Sequence, residues 1–461
     1  MDFVKEPSRE IPVMRKVAVV VVGGDHSGFG AAIAATHNGA ETPLIERYGF
    51  LGGMLTGGLV HWLPTNRLVP MEAYGETRAL QGGVVEELIE RLVDIGGAIA
   101  PSATSFAEAG SSIYFPTDPE IDKIVLVEML EEARAEILLH ALVVGVVKDG
   151  KGVKGIIIES KSGRQAILAD IVVDTSGDAD VAAFAGAEYD KADEPLMMTL
   201  QGYFGNVNPE KAREYTGADN RGKFNKLVDE AVKRGDITIS EKQLLPGKPP
   251  FKLSSLHIFD PKKTPANWYR LGEAGGYMET VSGDCTNVLD LTKAELTTRK
   301  TLLPILNFFR KYVPGYEKAY LSYTATQIGG RESRRVLGEY VLTAGKDIKE
   351  GLMHEDVITK SRSVLIRSFS AYTPERTPVF DIPYRCIVPK VIDNLLVAGR
   401  CISIDHKAAM LLSPRDIATC ICLGQAAGTA AALSIKSKIR PRELPIAVLQ
   451  QTLKMQGANL G

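Results

Sequence analysis

The first fifty residues contain an apolar run, a glycine-rich turn, a helix of small residues and a second short strand. Residues 17–22 are all apolar, residues 23–28 contain three glycines, and residues 29–37 are rich in alanine. A strand predicted at residues 42–45 ends beside Glu46. A strand that is apolar at every position is typical of a sheet covered on both faces. The pattern therefore predicts a βαβ unit.

The elements predicted further along are a helix at residues 124–134, a β-meander at residues 137–147, 153–159 and 166–168, buried strands at residues 171–173 and 394–399, and a buried helix at residues 417–434. Between residues 189 and 389, polar helices and aromatic residues interleaved with charges indicate a separate domain. We therefore expect an α/β fold. A Rossmann-like domain with a β-meander is formed by residues 1–188 and 390–461, and an α+β substrate or cap domain is inserted at residues 189–389.

Composition indicates a small-molecule enzyme more than a nucleic-acid or membrane protein. Lysine plus arginine number 54 and aspartate plus glutamate 56, so the net charge of −2 gives no field that attracts nucleic acid or an anionic membrane. The five cysteines lack a disulfide spacing, which favours the cytoplasm, and no sequence pattern of a metal site is present. A homo-oligomer is compatible with the sequence.

The glycine turn carries the first candidate chemistry. Gly23, Gly24 and Gly28 lie between a buried strand and a small-residue helix, and Glu46 ends the next strand. In a dinucleotide-binding turn, glycine permits close approach of a phosphate, the helix N-terminus supplies N–H groups, and the acid accepts ribose hydroxyls. Ser27, inside the turn, is a further candidate cofactor contact. Glycines also serve simple turns, and the following acid favours the cofactor interpretation.

The turn belongs to a longer resemblance. The stretch VVVVGGDHSGFGAAIAATHNGAETPLIERYGFLGGM, at residues 19–54, resembles the N-terminus of the FAD-dependent oxidoreductase family related to fumarate reductase flavoproteins. The later stretches IVVDTSGDADVAAFAGAEY, QIGGRESRRVLGEYVLT, IPYRCIVPKVIDNLLVAGRCIS and LGQAAGTAAALS resemble its other motifs in the same order. The resemblance implies an FAD-binding domain of the glutathione-reductase type and noncovalent FAD.

The resemblance also implies residue roles at the adenosine end of FAD. Glu46 and Arg47 hold the ribose, the backbone near Val143 and Val144 faces the adenine, and Gly177 borders the pyrophosphate.

For the flavin end, the resemblance places Gly52, Gly53 and Met54 along the ring system, with Gly399 and Arg400 at the ribityl side. The last helix begins at Arg415, Asp416 and Ile417, and its N–H groups point at the pyrimidine end of the flavin. Reduced flavin carries negative charge there, which a helix N-terminus stabilises.

Position 25 departs from the family pattern, because Asp25 stands where the dinucleotide fingerprint has glycine, and His26 follows it. A carboxylate about 4 Å from a phosphate charge costs roughly 4 kcal/mol at an effective dielectric of 20. Three interpretations are open. Asp25 caps the following helix, His26 or a nearby arginine neutralises it, or its carboxylate fills the anion site and weakens FAD binding.

Candidates for the substrate chemistry are His406, Arg331 and His257. His406 lies in the loop after residues 394–399, where the family has residues near the flavin ring, and is the first choice for acid–base work. Arg331 could grip a substrate carboxylate or belong, with its neighbours on a helix, to a structural ion-pair face. His257 is a candidate in the cap. Each of these histidines could equally be a plain hydrogen-bonding residue.

We therefore expect an FAD-dependent oxidoreductase that transfers a hydride between a small polar substrate and noncovalent flavin, with an electron acceptor that the sequence does not identify. Two alternatives are open. The fold has lost tight FAD binding through Asp25 and acts as a binding or scaffold protein, or the flavin serves a non-redox elimination or isomerisation.

Overall fold

The computed structural model describes residues 4–5, 7–60, 62–64, 80–98, 114–193, 196–208, 210–212, 221–236, 257–258, 274–362, 379–410 and 415–461. At residues 62–64, 114–116, 221–225, 257–258, 274–280 and 362 it describes the backbone only.

The elements up to residue 190 are β1 (Val13–Val22), α1 (His26–His37), β2 (Pro43–Ile45), α2 (Gly53–Thr56), β3 (Trp62–Pro64), α3 (Val84–Asp94), β4 (Tyr114–Pro116), α4 (Pro119–Glu132), β5 (Glu136–Leu138), β6 (Leu142–Asp149), β7 (Gly152–Ser160), β8 (Gly163–Asp174), α5 (Asp180–Ala185) and β9 (Tyr189–Asp190). The elements after residue 190 are β10 (Leu196–Gly205), α6 (Arg221–Lys233), β11 (His257–Ile258), β12 (Ala274–Gly283), α7 (Val288–Tyr312), β13 (Tyr320–Thr324), β14 (Gly329–Gly330), β15 (Arg335–Val336), β16 (Val357–Arg362), β17 (Val379–Pro383), β18 (Leu395–Val397), α8 (His406–Ala409), α9 (Ile417–Ser437) and α10 (Ile446–Met455).

The main sheet confirms the expected Rossmann-like α/β domain. Its strand order is β5-β2-β1-β8-β7-β6, and β18 pairs with the end of β8. Strands β5, β2, β1, β8 and β18 run parallel, while β7 and β6 form an antiparallel meander on β8. Because β1, β2, β8 and β18 end at the same edge, the loops that follow them converge there.

The predicted elements match the observed ones with differences at their ends. Helix α4 begins at Pro119, five residues before the predicted start, because the Asp118 side chain caps it through Glu120 N and Ile121 N. The strand predicted at residues 137–147 is divided into β5 and β6 by His140, which has a φ of +56°. The strands predicted at residues 166–168 and 171–173 are one strand, β8.

A second sheet has the order β11-β12-β10-β13, with β14 also paired to β10. Helix α7 packs on it through Leu302, Ile305 and Phe309, which share a core cluster with Leu200 and Phe204 of β10. This sheet and helix form the additional domain that the sequence predicts after residue 189.

The domain boundaries at residues 189 and 389 stay predictions, but the packing differs from them in one respect. Val336, Phe380 and Ile387 belong to the same core cluster as β1 and β8. The chain therefore rejoins the first core near β15, well before residue 389, because its apolar residues from there onward pack beside β8 and β18.

Helix α1 is held tightly between the sheet and α9. A Cβ on Gly424 would lie 1.9 Å from Ser27 O, and one on Gly428 would lie 2.0 Å from Ala31 O. The two helix backbones are therefore in direct contact. Among the described residues, α9 is long and apolar enough to cross a membrane, but 89% of its apolar window is buried inside the protein, as predicted for a core helix.

We predict that Gly424→Ala lowers the free energy of unfolding by about 1–3 kcal/mol, because the added methyl group must push α1 and α9 apart. Urea or thermal unfolding measures this change. Gly345→Ala is the matched control, since a Cβ there meets nothing within 4 Å. Equal stability of both variants would contradict the close helix contact.

Candidate functional site

The turn between β1 and α1 requires glycine at its first and last positions. Gly23 has a φ of +106°, a region that side chains disfavour. A Cβ on Gly28 would lie 1.8 Å from Gly23 O, so only glycine lets α1 begin this close to the strand. Between them, Gly24 donates its N–H to Glu46 Oε2 at 2.7 Å. The turn thus brings the end of β2 beside the start of α1.

Asp25 caps helix α1, as the first interpretation predicts, but its carboxylate lies on the N–H donors of the anion site, as the third predicts, and the effect on FAD affinity stays a prediction. Asp25 Oδ1 accepts from Ser27 N at 2.8 Å, Gly28 N at 3.0 Å and Ser27 Oγ at 2.5 Å. The carboxyl group therefore occupies N–H donors at the helix start, where a dinucleotide fingerprint uses N–H groups for phosphate. Burial raises the pKa of Asp25, although its hydrogen bonds oppose this.

His26 makes its hydrogen bonds to other groups, although its charge still lowers the pKa of Asp25, so the second interpretation holds only in part. Its buried ring contacts Gly52 O through Nδ1 at 3.0 Å, and Asp122 on α4 through Nε2 at 3.3 Å. Burial lowers the pKa of His26, but the charge and hydrogen bond of Asp122, together with the charge of Asp25 and the hydrogen bond to Gly52, outweigh burial, so that this pKa is raised. His26 therefore ties α4 to Gly52, whose φ of +101° starts the Gly52–Gly53 turn.

Glu46 lies where the dinucleotide fingerprint places its ribose acid. Its two carboxylate oxygens accept from Gly24 N at 2.7 Å and Tyr48 N at 2.8 Å. Burial raises the pKa of Glu46 against these hydrogen bonds. The neighbouring Arg47 lies over the Tyr48 ring at 4.8 Å and donates to Gln327 Oε1 at 3.4 Å. The structure therefore brings Glu46 to the glycine turn, and turns Arg47 toward the second domain.

Arg400 connects the ends of β8 and β18 with β14. Its Nε donates to Gly177 O at 2.7 Å, and its other nitrogens contact Gly330 O and the Asp178 carboxylate. Beside it, Gly399 has a φ of +88°, and a Cβ there would lie 2.7 Å from Ser27 Oγ. The candidate residues Ser27, Gly177, Gly399 and Arg400 are thus gathered at one edge of the main sheet.

Other candidate cofactor residues lie at or beyond this edge. A Cβ on Gly53 would lie 2.5 Å from Asp25 Cβ, so the Gly52–Gly53 turn packs on the glycine turn. Val143 pairs with Ile158 inside the meander, and the residues that contact the Glu46 turn are instead His140 and Ala141, through Tyr48 O and Glu46 O.

The start of α9 is capped by Asp416, whose Oδ1 accepts from Thr419 N at 2.7 Å, while Arg415 Nε donates to Ala409 O at 3.1 Å. Ile417 is the first residue of this helix. The roles of Val143, Val144 and Arg415 to Ile417 toward a cofactor stay predictions.

The charged segment after β14 is not a helix, which corrects the expectation that Arg331 and its neighbours share a helical face. The arginines after Arg331 are engaged by acids instead. Arg335, 1% exposed, pairs with Glu332 and with Asp190 Oδ2 at 2.5 Å, and Arg334 pairs with Asp180 at 2.8 Å. The ion-pair interpretation holds for these two arginines.

Arg331 has no acid partner among the described residues, whereas His406 is held by Glu332. Within the described ranges, half-buried Arg331 has no hydrogen bond or ion pair. The His406 ring, 45% exposed, contacts buried Glu332 through Nδ1 at 3.0 Å. Contrary to the loop prediction, His406 is the first residue of short helix α8, which Asp405 caps. The side chain of His257 lies outside what the structure describes.

A sequence profile of the family described as FAD dependent oxidoreductase matches residues 18–453. The chain belongs to this family. FAD is accordingly its cofactor, and the protein is an FAD-dependent oxidoreductase. No protein of curated function matches the sequence.

Three solved structures align with the chain at low sequence identity. A geranylgeranyl bacteriochlorophyll reductase-like protein from Thermoplasma acidophilum is 15% identical with a TM-score of 0.46, covering 96% of this chain and 83% of its own. The p-nitrophenol 4-monooxygenase PnpA from Pseudomonas putida DLL-E4 is 13% identical with a TM-score of 0.45, covering 95% and 84%. The myxobacterial chondrochloren halogenase CndH is 12% identical with a TM-score of 0.43, covering 96% and 79%.

The residues of this edge fit FAD in most respects. The glycine turn admits a phosphate, the Glu46 carboxylate accepts hydroxyl groups, and Arg400 supplies positive charge close to Gly177. Asp25 opposes an anion at this edge, and the nearby Glu46 carboxylate adds to the negative charge. Of the positively charged groups near Asp25, Arg400 is bound to Asp178, and His26 is bound to Asp122.

A row of polar side chains on β10 lies outside the motifs that the sequence singles out. Thr199, Gln201 and Tyr203 alternate along the strand with Met198, Leu200 and Phe204. The Tyr203 ring belongs to the same hydrophobic cluster as Leu200 and Phe204, so its hydroxyl group is the polar part of this position. Tyr203 donates to Leu59 O at 3.3 Å, which directs this face toward the FAD-binding domain. Among the described residues, buried Thr199 Oγ1 and Gln201 Nε2 have no hydrogen-bond partner. The alternation in LMMTLQGYFG is the signal that predicts this row.

We predict that Asp122→Asn lowers the pKa of His26, because the amide removes the charge that favours the imidazolium. Isotope-labelled histidine in NMR titrations measures this among the seven histidines, and His26→Asn assigns the signal. The control is Glu120→Gln on the same helix, which faces Lys123 rather than His26. A shift of equal size in both variants would contradict the pairing.

The same pair predicts a pH-dependent stability. A histidine pKa raised in the folded state stabilises fully below the unfolded-state pKa of about 6.5, and this stability is lost as pH rises through the folded-state value. The difference in unfolding free energy between wild type and Asp122→Asn should therefore shrink from pH 6 toward pH 9 in urea titrations. A difference that grows with pH would sink this account.

Proposed function

We propose that this FAD-dependent oxidoreductase transfers a hydride between a small polar substrate and noncovalently bound FAD, as a dehydrogenase or reductase. The observation that carries the proposal is the polar face of β10, which meets the segment following the Gly52–Gly53 turn. Thr326 N donates to Gly57 O at 2.8 Å, and Tyr203 OH donates to Leu59 O at 3.3 Å. We place the substrate beside the polar face of β10, where the second domain meets the segment that follows the Gly52–Gly53 turn.

The polar face of β10 supports a substrate that forms hydrogen bonds. Gln201 is 1% exposed, and its Nε2 has no partner among the described residues. A buried N–H donor without a partner costs about 1–3 kcal/mol, which a substrate oxygen near Nε2 would recover. Thr199 offers a second such group on the same face. Both are therefore proposed as substrate contacts.

When bound, FAD supplies the hydride acceptor or donor, so the chain itself has to move a proton and hold the substrate. His406 is the proposed proton carrier. Contact with Glu332 orients its ring through Nδ1, which leaves Nε2 on the partly exposed side to exchange a proton with the substrate. Arg331 is the proposed anchor for an acidic substrate group, because no described acid engages it.

Two further expectations belong to this proposal. We propose that the chain is related to the fumarate reductase flavoproteins, because its motifs resemble theirs and occur in the same order. The cytoplasm is the proposed compartment, in keeping with cysteines that are all free and buried.

The deciding experiment is the visible spectrum of purified protein, followed by identification of the released chromophore and an anaerobic screen of small polar acids and alcohols. We expect released FAD and substrates that bleach the flavin without oxygen. If reduction requires NAD(P)H and turnover requires oxygen, the enzyme is a monooxygenase and the dehydrogenase proposal is wrong. Turnover without any electron acceptor would instead indicate non-redox chemistry.

His406→Gln is predicted to lower the rate of anaerobic flavin reduction by about 10²–10⁴-fold, the usual contribution of a general acid or base. FAD content should stay that of wild type. Stopped-flow absorbance measures the rate. Lys407→Gln, at the exposed neighbouring position, is the control. An unchanged rate over the whole pH profile would exclude His406 as the proton carrier.

Gln201→Leu is predicted to raise the substrate KM while leaving the melting temperature equal or higher. The leucine removes the buried Nε2, which has no partner among the described residues, and gives up only the long contact from Tyr203 OH to Gln201 Oε1 at 3.4 Å, but it cannot bind a substrate oxygen. Leu200→Met on the apolar side of the same strand is the control, and should change neither KM nor FAD content. A lower melting temperature with unchanged KM would show a purely structural role for Gln201.

A further inference from the structure

The carboxyl group of Asp25 is built into the place that the FAD pyrophosphate approaches. It accepts three hydrogen bonds from Ser27 N, Gly28 N and Ser27 Oγ. On its other side, a Cβ on Gly53 would lie 2.5 Å from Asp25 Cβ. The side chain is therefore packed between the start of α1 and the Gly52–Gly53 turn, and rotation away from the phosphate site would meet Gly53.

Two positive groups act on Asp25, His26 and Arg400, and each of them is bound to another acid. On its own helix, the His26 ring contacts Gly52 O and Asp122. From β2, the group that faces it is the carboxylate of Glu46, which adds negative charge.

The edge after β18 contributes Arg400, which is bound to Asp178, and the thiol of Cys401. Helix α9 contributes the thiol of Cys420, and these thiols are neutral because burial raises their pKa values. A diphosphate that arrives at α1 thus meets the Asp25 carboxyl group, while the nearby cations His26 and Arg400 are already bound to acids.

We propose that FAD binding is coupled to uptake of one proton by Asp25. The proton comes from solvent, adds to a carboxylate oxygen and forms one O–H bond, and no other bond changes. The neutral carboxyl group still caps α1, since its carbonyl oxygen accepts from Ser27 N, and its new O–H donates to a phosphate oxygen. Protonated Asp25, at the position where the family has glycine, thus becomes a hydrogen-bond donor to the cofactor.

Burial already raises the pKa of this carboxyl group in the protein without cofactor, which favours uptake of the proton. The direction in which FAD affinity changes with pH follows from this proton uptake. Below the pKa of free Asp25, FAD affinity does not depend on pH. Above it, each pH unit weakens FAD binding up to about tenfold, until pH exceeds the pKa of Asp25 in the complex. The enzyme therefore retains FAD better at low pH.

The test uses apoprotein and FAD, with the dissociation constant measured by quenching of flavin fluorescence from about pH 5.5 to 8.5. Calorimetry in buffers of different ionisation enthalpy counts the protons taken up. We expect uptake approaching one proton in wild type. For Asp25→Asn and Asp25→Gly we expect none, a dissociation constant that does not change with pH, and tighter binding than wild type at the highest pH.

Two variants separate Asp25 from its neighbours. His26→Asn and Glu46→Gln should keep the pH dependence, even where they change the affinity itself. If the pH dependence persists in Asp25→Asn and disappears in His26→Asn, the histidine is the source and the proposal is wrong. Equal proton uptake by wild type and Asp25→Asn would also overturn it.

The inference rests on FAD as the cofactor, and its failure can be told apart from failure of that assignment. Folding of each variant is checked by circular dichroism. If folded wild type and folded Asp25→Gly both fail to bind FAD at every pH, the cofactor use behind the proposed function fails as well. If both bind FAD with equal affinity at all pH values, the cofactor stands and only the coupling is refuted.

Discussion

The structure depends on how closely helix α1 approaches its neighbours on two sides. On the strand side, Gly28 lies against Gly23 O, and on the helix side Gly424 lies against Ser27 O. Neither contact has room for a methyl group. The approach directs the start of α1 toward the edge where β1, β2, β8 and β18 end, and the Gly52–Gly53 turn, Glu46 and Arg400 gather around that point.

Charge in this region is arranged so that nearly every acid has a partner. Asp178 binds Arg400, Asp122 binds His26, and Glu46 accepts two backbone N–H groups. Such pairing is what permits charged groups at low exposure, because an unpaired buried charge costs several kcal/mol. Asp25 is satisfied in the same way by the first turn of α1, although an FAD phosphate would use this part of the helix. The cofactor site therefore contains its own acid.

The substrate side of the site is built from the second domain. Strand β10 has an apolar face that packs with α7 and a polar face that meets the FAD-binding domain at Leu59. Glu332 holds His406 from one direction and pairs with Arg335 in the other, so the histidine is tied to a buried ion network. These contacts connect elements that are distant in sequence, and they position the proposed proton carrier.

Local pattern determined the βαβ unit, the meander, the buried last helix and the position of Glu46, because alternation, glycine and apolar runs are properties of neighbouring residues. The capping role of Asp25 was among the open interpretations for the same reason.

Only the tertiary structure decided that His26 faces Asp122, that Arg335 rather than Arg331 is engaged by acids, and that β15 to β18 share the first core. It also decided that β10 turns its polar row toward the FAD-binding domain. These contacts join residues far apart in the chain, and their geometry follows from how the sheets and helices pack, which no local pattern encodes.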